Sequence, residues 1–280
     1  MKDSDCTKGP CNDCPAPVSL CLAPLAPVAS LGAGVCKAMM PACSPPPMPT
    51  CGQIGSFAVL VSGNGIAFDG TNMWATSSDG QTINDVVKIS PTGVSLGTFP
   101  VGPSPVAIAF DGTNMWVANG NHVTKLSPSG ATLGSYATGG SAAYGIAFDG
   151  TNMWIVNNGS SNVTKLSPTG ALLGLYPAGV QPIGIAFDGT NMWVASGTGA
   201  VELSPSGATM GTFSAGAFDQ WLAFDGTNMW VADTMTNGTV TKLSPSGATI
   251  GTFPAGTAPQ GMAFDGTHMW VAAGADVVEL

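Results

Sequence analysis

The chain has 280 residues, 44% of them hydrophobic and only 8% charged, against about 25% charged in an average soluble protein. Its cations are seven lysines, and a net charge of −9 offers no basic surface for nucleic acid or anionic membranes, both of which need clustered Lys or Arg. No run of about 20 unbroken apolar residues is present to span a bilayer, and so sparse a surface charge favours self-association.

Residues 1–53 read as a Cys/Pro-rich, extended N-terminal arm. They hold all seven cysteines, Cys6, Cys11, Cys14, Cys21, Cys36, Cys43 and Cys51, and ten of the 22 prolines. So many prolines break helices and favour extended or polyproline stretches. The apolar run 18–35 is interrupted by Pro24 and Pro27, so it does not have the form of an ordinary signal peptide. Cysteines at this density point to disulfides and to an oxidising, extracellular or cell-surface setting. The pairing stays open, and an odd count leaves at least one sulfur free or joined to another chain. Cys11 and Cys14 have the spacing of half a zinc site, but no second close pair or nearby His completes it.

The arm runs into Ile54-Gly55-Ser56-Phe57, a phrase repeated at Leu96-Gly97-Thr98-Phe99. Beyond it, Gly-Ile-Ala-Phe-Asp-Gly-Thr-Asn-Met-Trp recurs six times with little change. Its Phe falls at Phe68, Phe110, Phe148, Phe187, Phe224 and Phe264, at intervals of 42, 38, 39, 37 and 40 residues. A period near 40 marks a propeller blade, a small sheet that can hide its faces only by stacking on neighbours.

In the third copy, 145–148 is short and apolar, and Asp149-Gly150-Thr151 is turn chemistry. Residues 152–156 and 162–166 alternate as strands. Ser167-Pro168-Thr169-Gly170 suits a type I turn, and 171–176 is a fourth strand. The chain stops at Val277-Val278-Glu279-Leu280, which matches the third-strand phrase Ala200-Val201-Glu202-Leu203. The predicted architecture is therefore all-β. A six-bladed propeller of four-stranded antiparallel blades fills 54–280, with a strand at 54–58 completing the last blade and removing its open edge.

The period of two assigns roles to the repeated residues. The phrase Phe and the Trp of each copy (Trp74, Trp116, Trp154, Trp193, Trp230, Trp270) are expected to pack between blades, with the small Ala on the opposite face. The aspartates Asp69, Asp111, Asp149, Asp188, Asp225 and Asp265 are expected to cap their own turns rather than to share a metal ion. Glu202 and Glu279 take the slot held elsewhere by Lys125, Lys165 and Lys242, and are expected on solvated outer strands.

The repeat and the following Val-Thr-Lys-Leu-Ser-Pro-Ser-Gly resemble the NHL and virginiamycin B lyase-like six-bladed propellers over residues 54–280. That resemblance implies the fold. An enzyme of the lyase-like group would be expected to show His and Glu around a metal at the axis. The two histidines, His122 and His268, do not form such a set, and the residues opening the first strands, Asn64, Val106, Tyr144, Ile183, Gln220 and Gln260, are too apolar and irregular for a lactonase-type site. The expectation is accordingly of no enzyme, with no catalytic residues, no cofactor and no metal. The turns of one face are monotonous. The loops 77–85, 138–144, 157–161, 217–220 and 233–238 on the other differ, and would carry any specific binding. The leading functional expectation is an extracellular structural protein whose copies join into a filament or surface array through the arm, stabilised by disulfides. The alternative is a secreted or cell-surface binding module that reads a glycan, peptide or protein through the variable loops.

Overall fold

A computed structural model describes residues 62–197, 199–216, 219–234 and 238–280. The arm, its seven cysteines and the closing strand expected at 54–58 lie outside these residues.

Six antiparallel sheets follow one another along the chain. Blade 1 is β1 (Ile66–Phe68), β2 (Met73–Ser78), β3 (Asn84–Ile89) and β4 (Ser95–Pro100), each strand paired with the one before it. The other blades span 105–137, 143–177, 185–213, 219–254 and 259–279. The sixth shows three strands among the described residues. First strands of successive blades touch one another at the centre, so the sheets are arranged as the predicted six-bladed propeller.

The local chemistry of one blade explains its hairpins. In the first turn Asp69 N–H donates to Asn72 O at 3.0 Å. Gly70 takes φ +92° there, a region open to glycine at little cost. In the second turn Gly93 N–H donates to Ser90 O at 2.9 Å, while Ser90 Oγ accepts from Val94 N–H at 3.0 Å. The same two turns recur along the chain.

The core lies in the seams between blades. Trp74, Val86 and Ala67 of blade 1 pack with Ile108, Met115, Val117, Leu126 and Phe110 of blade 2. In the same way Phe148, Phe187, Phe224 and Phe264 pack into the clusters holding Trp116, Trp154, Trp193 and Trp230. Each of these five tryptophans also lies against an aromatic ring of its own outer strand, at centroid distances from 5.4 to 5.7 Å. An indole removes roughly 150–250 Å² from water, and such a ring pair adds about 0.5–1.5 kcal/mol. The seams therefore dominate stability.

Every four-stranded blade carries a bulge at one place. Lys88 pairs Gly97 and Ile89 pairs Ser95, so Leu96 is the extra residue. Its counterparts are Leu133, Leu173, Met210 and Ile250.

Candidate functional site

The ring offers three surfaces: a face of repeated turns, a face of variable loops, and the rim of outer strands.

On the repeated-turn face each Asp does two things at once. Asp149 Oδ1 accepts from the backbone N–H groups of Thr151 and Asn152 at 2.8 and 2.6 Å. Its Oδ2 accepts from Trp154 Nε1–H at 2.6 Å. Asp69, Asp111, Asp188, Asp225 and Asp265 repeat this set. Four lysines complete it. Lys165 Nζ lies 4.7 Å from the Trp154 ring centroid and 3.8 Å from Asp149, and donates to Pro205 O of the next blade at 2.6 Å. Lys88 and Lys125 reach Pro128 O and Pro168 O in the same way. Lys242 instead closes on Asp225 at 3.0 Å. Burial raises the carboxyls of Asp69, Asp111 and Asp149, but the indole N–H, the backbone N–H donors and the lysine more than reverse it, leaving each pKa below the ordinary 3.8. The same balance brings Asp225 to about 2. The lysines are thus seam components rather than free surface cations.

Two blades depart from this pattern. In blade 4 the lysine slot holds Glu202, which is only 6% exposed. This corrects the expectation of a solvated Glu202: the slot is enclosed because elsewhere the lysine stem lies across the indole. Glu202 accepts from Asn191 Nδ2 at 2.7 Å. Burial, with Asp188 nearby, pushes its pKa above the ordinary 4.5. In blade 6 Glu279 holds the slot, His268 Nδ1 stands 3.4 Å from it and 3.9 Å from Asp265, and all three are substantially exposed. The indole of Trp270 and two backbone donors hold Asp265 at about 2. No group of three or more His, Cys, Asp or Glu among the described residues is arranged to hold a metal ion.

The variable face collects the loops between blades. Ser104, Ala142, Gln181 and Ala258 precede the first strands of blades 2, 3, 4 and 6, all at φ between 48 and 54°. That region costs a non-glycine residue about 1–2 kcal/mol. The preceding blade pins three of them: Asn84 Oδ1 accepts from Ser104 N–H at 2.8 Å, Asn121 Oδ1 from Ala142 N–H at 3.0 Å, and Ser161 Oγ from Gln181 N–H at 3.4 Å. Beneath the loops, second strands end in buried polar residues, Ser78, Asn119, Asn157, Ser196 and Asp233. Gly140 packs so closely on Asn157 that a Cβ would overlap it. Sequence reasoning misses both features, since Ser, Ala and Gln give no sign of a left-handed turn. The alignment of Asn119 with Asn157 at the ends of otherwise apolar strands is the available signal for the buried ring.

On this face, between residues of blades 1 to 3, is a hollow of about 440 Å³, lined by Ser62, Asn64, Asp79, Ser104, Val106 and Tyr144 among others. Tyr144 is 42% exposed. Asp79 is committed to its own loop. Its Oδ1 accepts three backbone N–H groups at 2.7–2.8 Å and its Oδ2 the Thr82 hydroxyl at 2.8 Å. These bonds, that from Ile83 first, hold its pKa far below the usual range. Of the residues expected to open the first strands, Asn64, Val106 and Tyr144 meet here. Ile183 is half-buried and Gln260 exposed, and Gln220 lies in the strand Asp219–Phe224. His122 opens the third strand of blade 2 at the exposed end.

No helix among the described residues is long and apolar enough to cross a membrane.

No family model matches the chain, and neither does any curated protein. Solved structures do. A protein of Bacteroides uniformis provisionally named a 6-phosphogluconolactonase superposes with TM-score 0.67 at 15% identity, over 78% of this chain and 80% of that one. A streptogramin B lyase gives 0.62 at 17%, over 75% and 76%. The computationally designed Ika8 protein gives 0.66 at 13%, over 78% and 70%. At these identities the likeness is one of fold. The sequence resemblance to lyase-like propellers has a structural counterpart at that coarse level. The expectation that the chain is not an enzyme is corrected: proteins of this architecture carry enzyme names. The physical reason is that catalysis on a repeat scaffold rests on a few loop side chains grafted onto the blades, so monotony of the blades is no argument against it.

Proposed function

We propose that this protein is an extracellular, self-assembling scaffold whose propellers are joined through the 1–53 arm and locked by disulfides among its seven cysteines. The observation that carries the reading is the distribution of charge. The four lysines of the ring lie against their own tryptophans, and the outer strands contain no Asp, Glu, Lys or Arg. A propeller so constructed has a rim without the charged gatekeepers that ordinarily keep edge strands apart, and all its sulfur lies in a separate proline-rich arm, methionine aside. Sedimentation of the oxidised protein is expected to give species far heavier than the 27.9 kDa chain, which dissociate when reductant is added. A monomer under oxidising conditions would refute the proposal.

A second reading is favoured by the hollow at Asn64, Ser104 and Tyr144: recognition of a small polar ligand, a glycan or peptide, by the variable face. Loop positioning by pinned left-handed residues supports it, because strain held by surrounding structure gathers at functional loops. Screening of oligosaccharides and short peptides by thermal shift, with product analysis in the same samples, tests both binding and turnover. Tyr144→Ala is expected to abolish any shift without lowering the unliganded melting temperature.

A further inference from the structure

Every four-stranded blade presents a large apolar side chain to solvent at one place on its outer strand. These are Leu96, Leu133, Leu173, Met210 and Ile250, between 50 and 62% exposed. Each is the extra residue of its bulge. The bulge forces two residues of the outer strand to oppose one of the third strand, and the unpaired one is driven off the sheet. Apolar residues at all five such positions are unexpected for a solvated rim, where Lys, Glu or Pro ordinarily stands. Among the described residues, each outer strand has a hydrogen-bonded neighbour on one side only.

We infer that this rim is the acceptor for the N-terminal arm of a second copy. The inference rests on the assembly reading above and names the surface that reading leaves open. Charge selects the occupant. Residues 54–280 contain 13 acidic residues and four lysines, a balance of −9, whereas residues 1–53 contain Asp3, Asp5, Asp13, Lys2, Lys8 and Lys37, a balance of zero. Two propellers therefore repel each other, and an arm does not repel a propeller. Polarity selects the surface. The repeated-turn face carries its ring of aspartates, and the variable face carries Asp79, Asp85, Asp233 and Asp276 near its loops. The outer strands carry no charge. The 16–40 stretch of the arm, with Lys37 its one charged residue, matches the rim and neither face.

Reach is sufficient. Phe57 precedes Phe68 by 11 residues, the interval that separates Phe99 from Phe110. In that register Ile54 corresponds to Leu96 in the repeated phrase. A chain of 53 residues would reach about 160 Å at the polyproline rise of about 3.1 Å per residue, enough to leave one disk and lie along another. An arm on one copy and a rim on the next make a head-to-tail contact, which propagates unless rotation closes it.

The test replaces the five rim residues together, Leu96→Lys, Leu133→Lys, Leu173→Lys, Met210→Lys and Ile250→Lys, in the full oxidised chain. Circular dichroism and the melting transition report whether the propeller is retained. If the fivefold variant does not fold, Leu96→Lys with Leu133→Lys and Ile250→Lys serves instead. The expected result is loss of all species heavier than the monomer. Added to wild type at one part in ten, the variant is expected to shorten assemblies severalfold, since it can donate an arm but not accept one. If wild type assembles and the folded variant assembles equally, the rim inference is overturned while the assembly reading stands. If the variant is monomeric but leaves wild-type assemblies unchanged, rims pair with rims and the arm is not the occupant. If wild type is itself monomeric, with the rim occupied by its own arm, both fall.

Discussion

Blades 1 to 3 and blade 4 use one phrase to build two different seams. In the first three, a lysine lies over the indole, faces the turn aspartate and donates to a proline carbonyl of the next blade at 2.6–2.8 Å. In blade 4 the same slot holds a buried glutamate beside the same aspartate. One seam is crossed by a cation, the other by a second acid that has no proton to give to a carbonyl when ionised. The aromatic packing hardly notices: the Trp154–Tyr176 and Trp193–Phe213 centroids lie at 5.6 and 5.4 Å. Hydrophobic burial thus forms the ring, and the polar clasp grades the seams within it.

The largest effect should come from removing what the two kinds of seam share. Trp154→Ala empties a fully buried site and leaves Tyr176 without its ring partner, an expected loss of about 3–5 kcal/mol in denaturant unfolding. Trp193→Ala should cost a similar amount, and a much smaller loss there would show that the blade 4 seam is already loose.

Removal of the aspartate should separate them. Asp149→Ala leaves the buried indole N–H and two turn N–H groups without their acceptor and Lys165, still bonded to Pro205 O, without its counter-charge, an expected loss of about 2–3 kcal/mol. Asp188→Ala strands the matching indole and turn N–H groups but removes no lysine pair, and it lifts a like charge from Glu202, so its loss should be the smaller of the two. Equal losses would mean that neither the lysine pair of blade 3 nor the like charge of blade 4 weighs measurably against the shared hydrogen bonds.

The contrast also marks how far the amino-acid sequence alone can be read. Six copies of one phrase at a period near 40 are enough for the architecture, because a sheet of that length must stack to bury its Phe and Trp. The seam role of Phe110, Phe148, Phe187, Phe224 and Phe264 follows from alternation alone. The Asp-to-Trp hydrogen bond is not legible, since it joins residues five apart across a turn whose geometry the pattern does not specify. Glu202 misleads because a charged slot suggests a wet one, whereas a lysine stem shields what lies under it. The bulges are hidden by Gly97, Gly134, Gly174, Gly211 and Gly251, which look like turn residues but pair in register with the third strand. Loop lengths locate the variable face, but the hollow there depends on left-handed Ser104 and its neighbours, which no local signal announces.

Converting one seam into the other gives a smaller effect of opposite sign. Glu202→Lys places a cation between Asp188 and the Ser-Pro turn of blade 5, where Pro245 corresponds to Pro168 and Pro205. Thermal unfolding should shift upward, by about 1 kcal/mol for a charge-assisted bond in a partly screened site. Lys165→Glu should undo the clasp of blade 3 by a comparable amount.

The smallest effect is the most diagnostic of protonation. Glu202 has a folded pKa above its ordinary 4.5, so between the two values the folded protein holds a proton that the unfolded chain releases, and stability falls as pH rises through that window. Asp225 and Asp265, near 2 in the folded state, act in the other direction: their contribution is intact above the ordinary 3.8 and is lost as pH falls toward 2. Glu202→Gln keeps an acceptor for Asn191 and deletes the charge. It should be more stable than wild type at pH 7, with the difference mostly gone by about pH 4, below both the ordinary value and the raised one, where Glu202 is largely protonated in both states. Urea midpoints at the two pH values measure this directly, and an advantage that persisted at pH 4 would trace to amide packing rather than to the paired acids of blade 4.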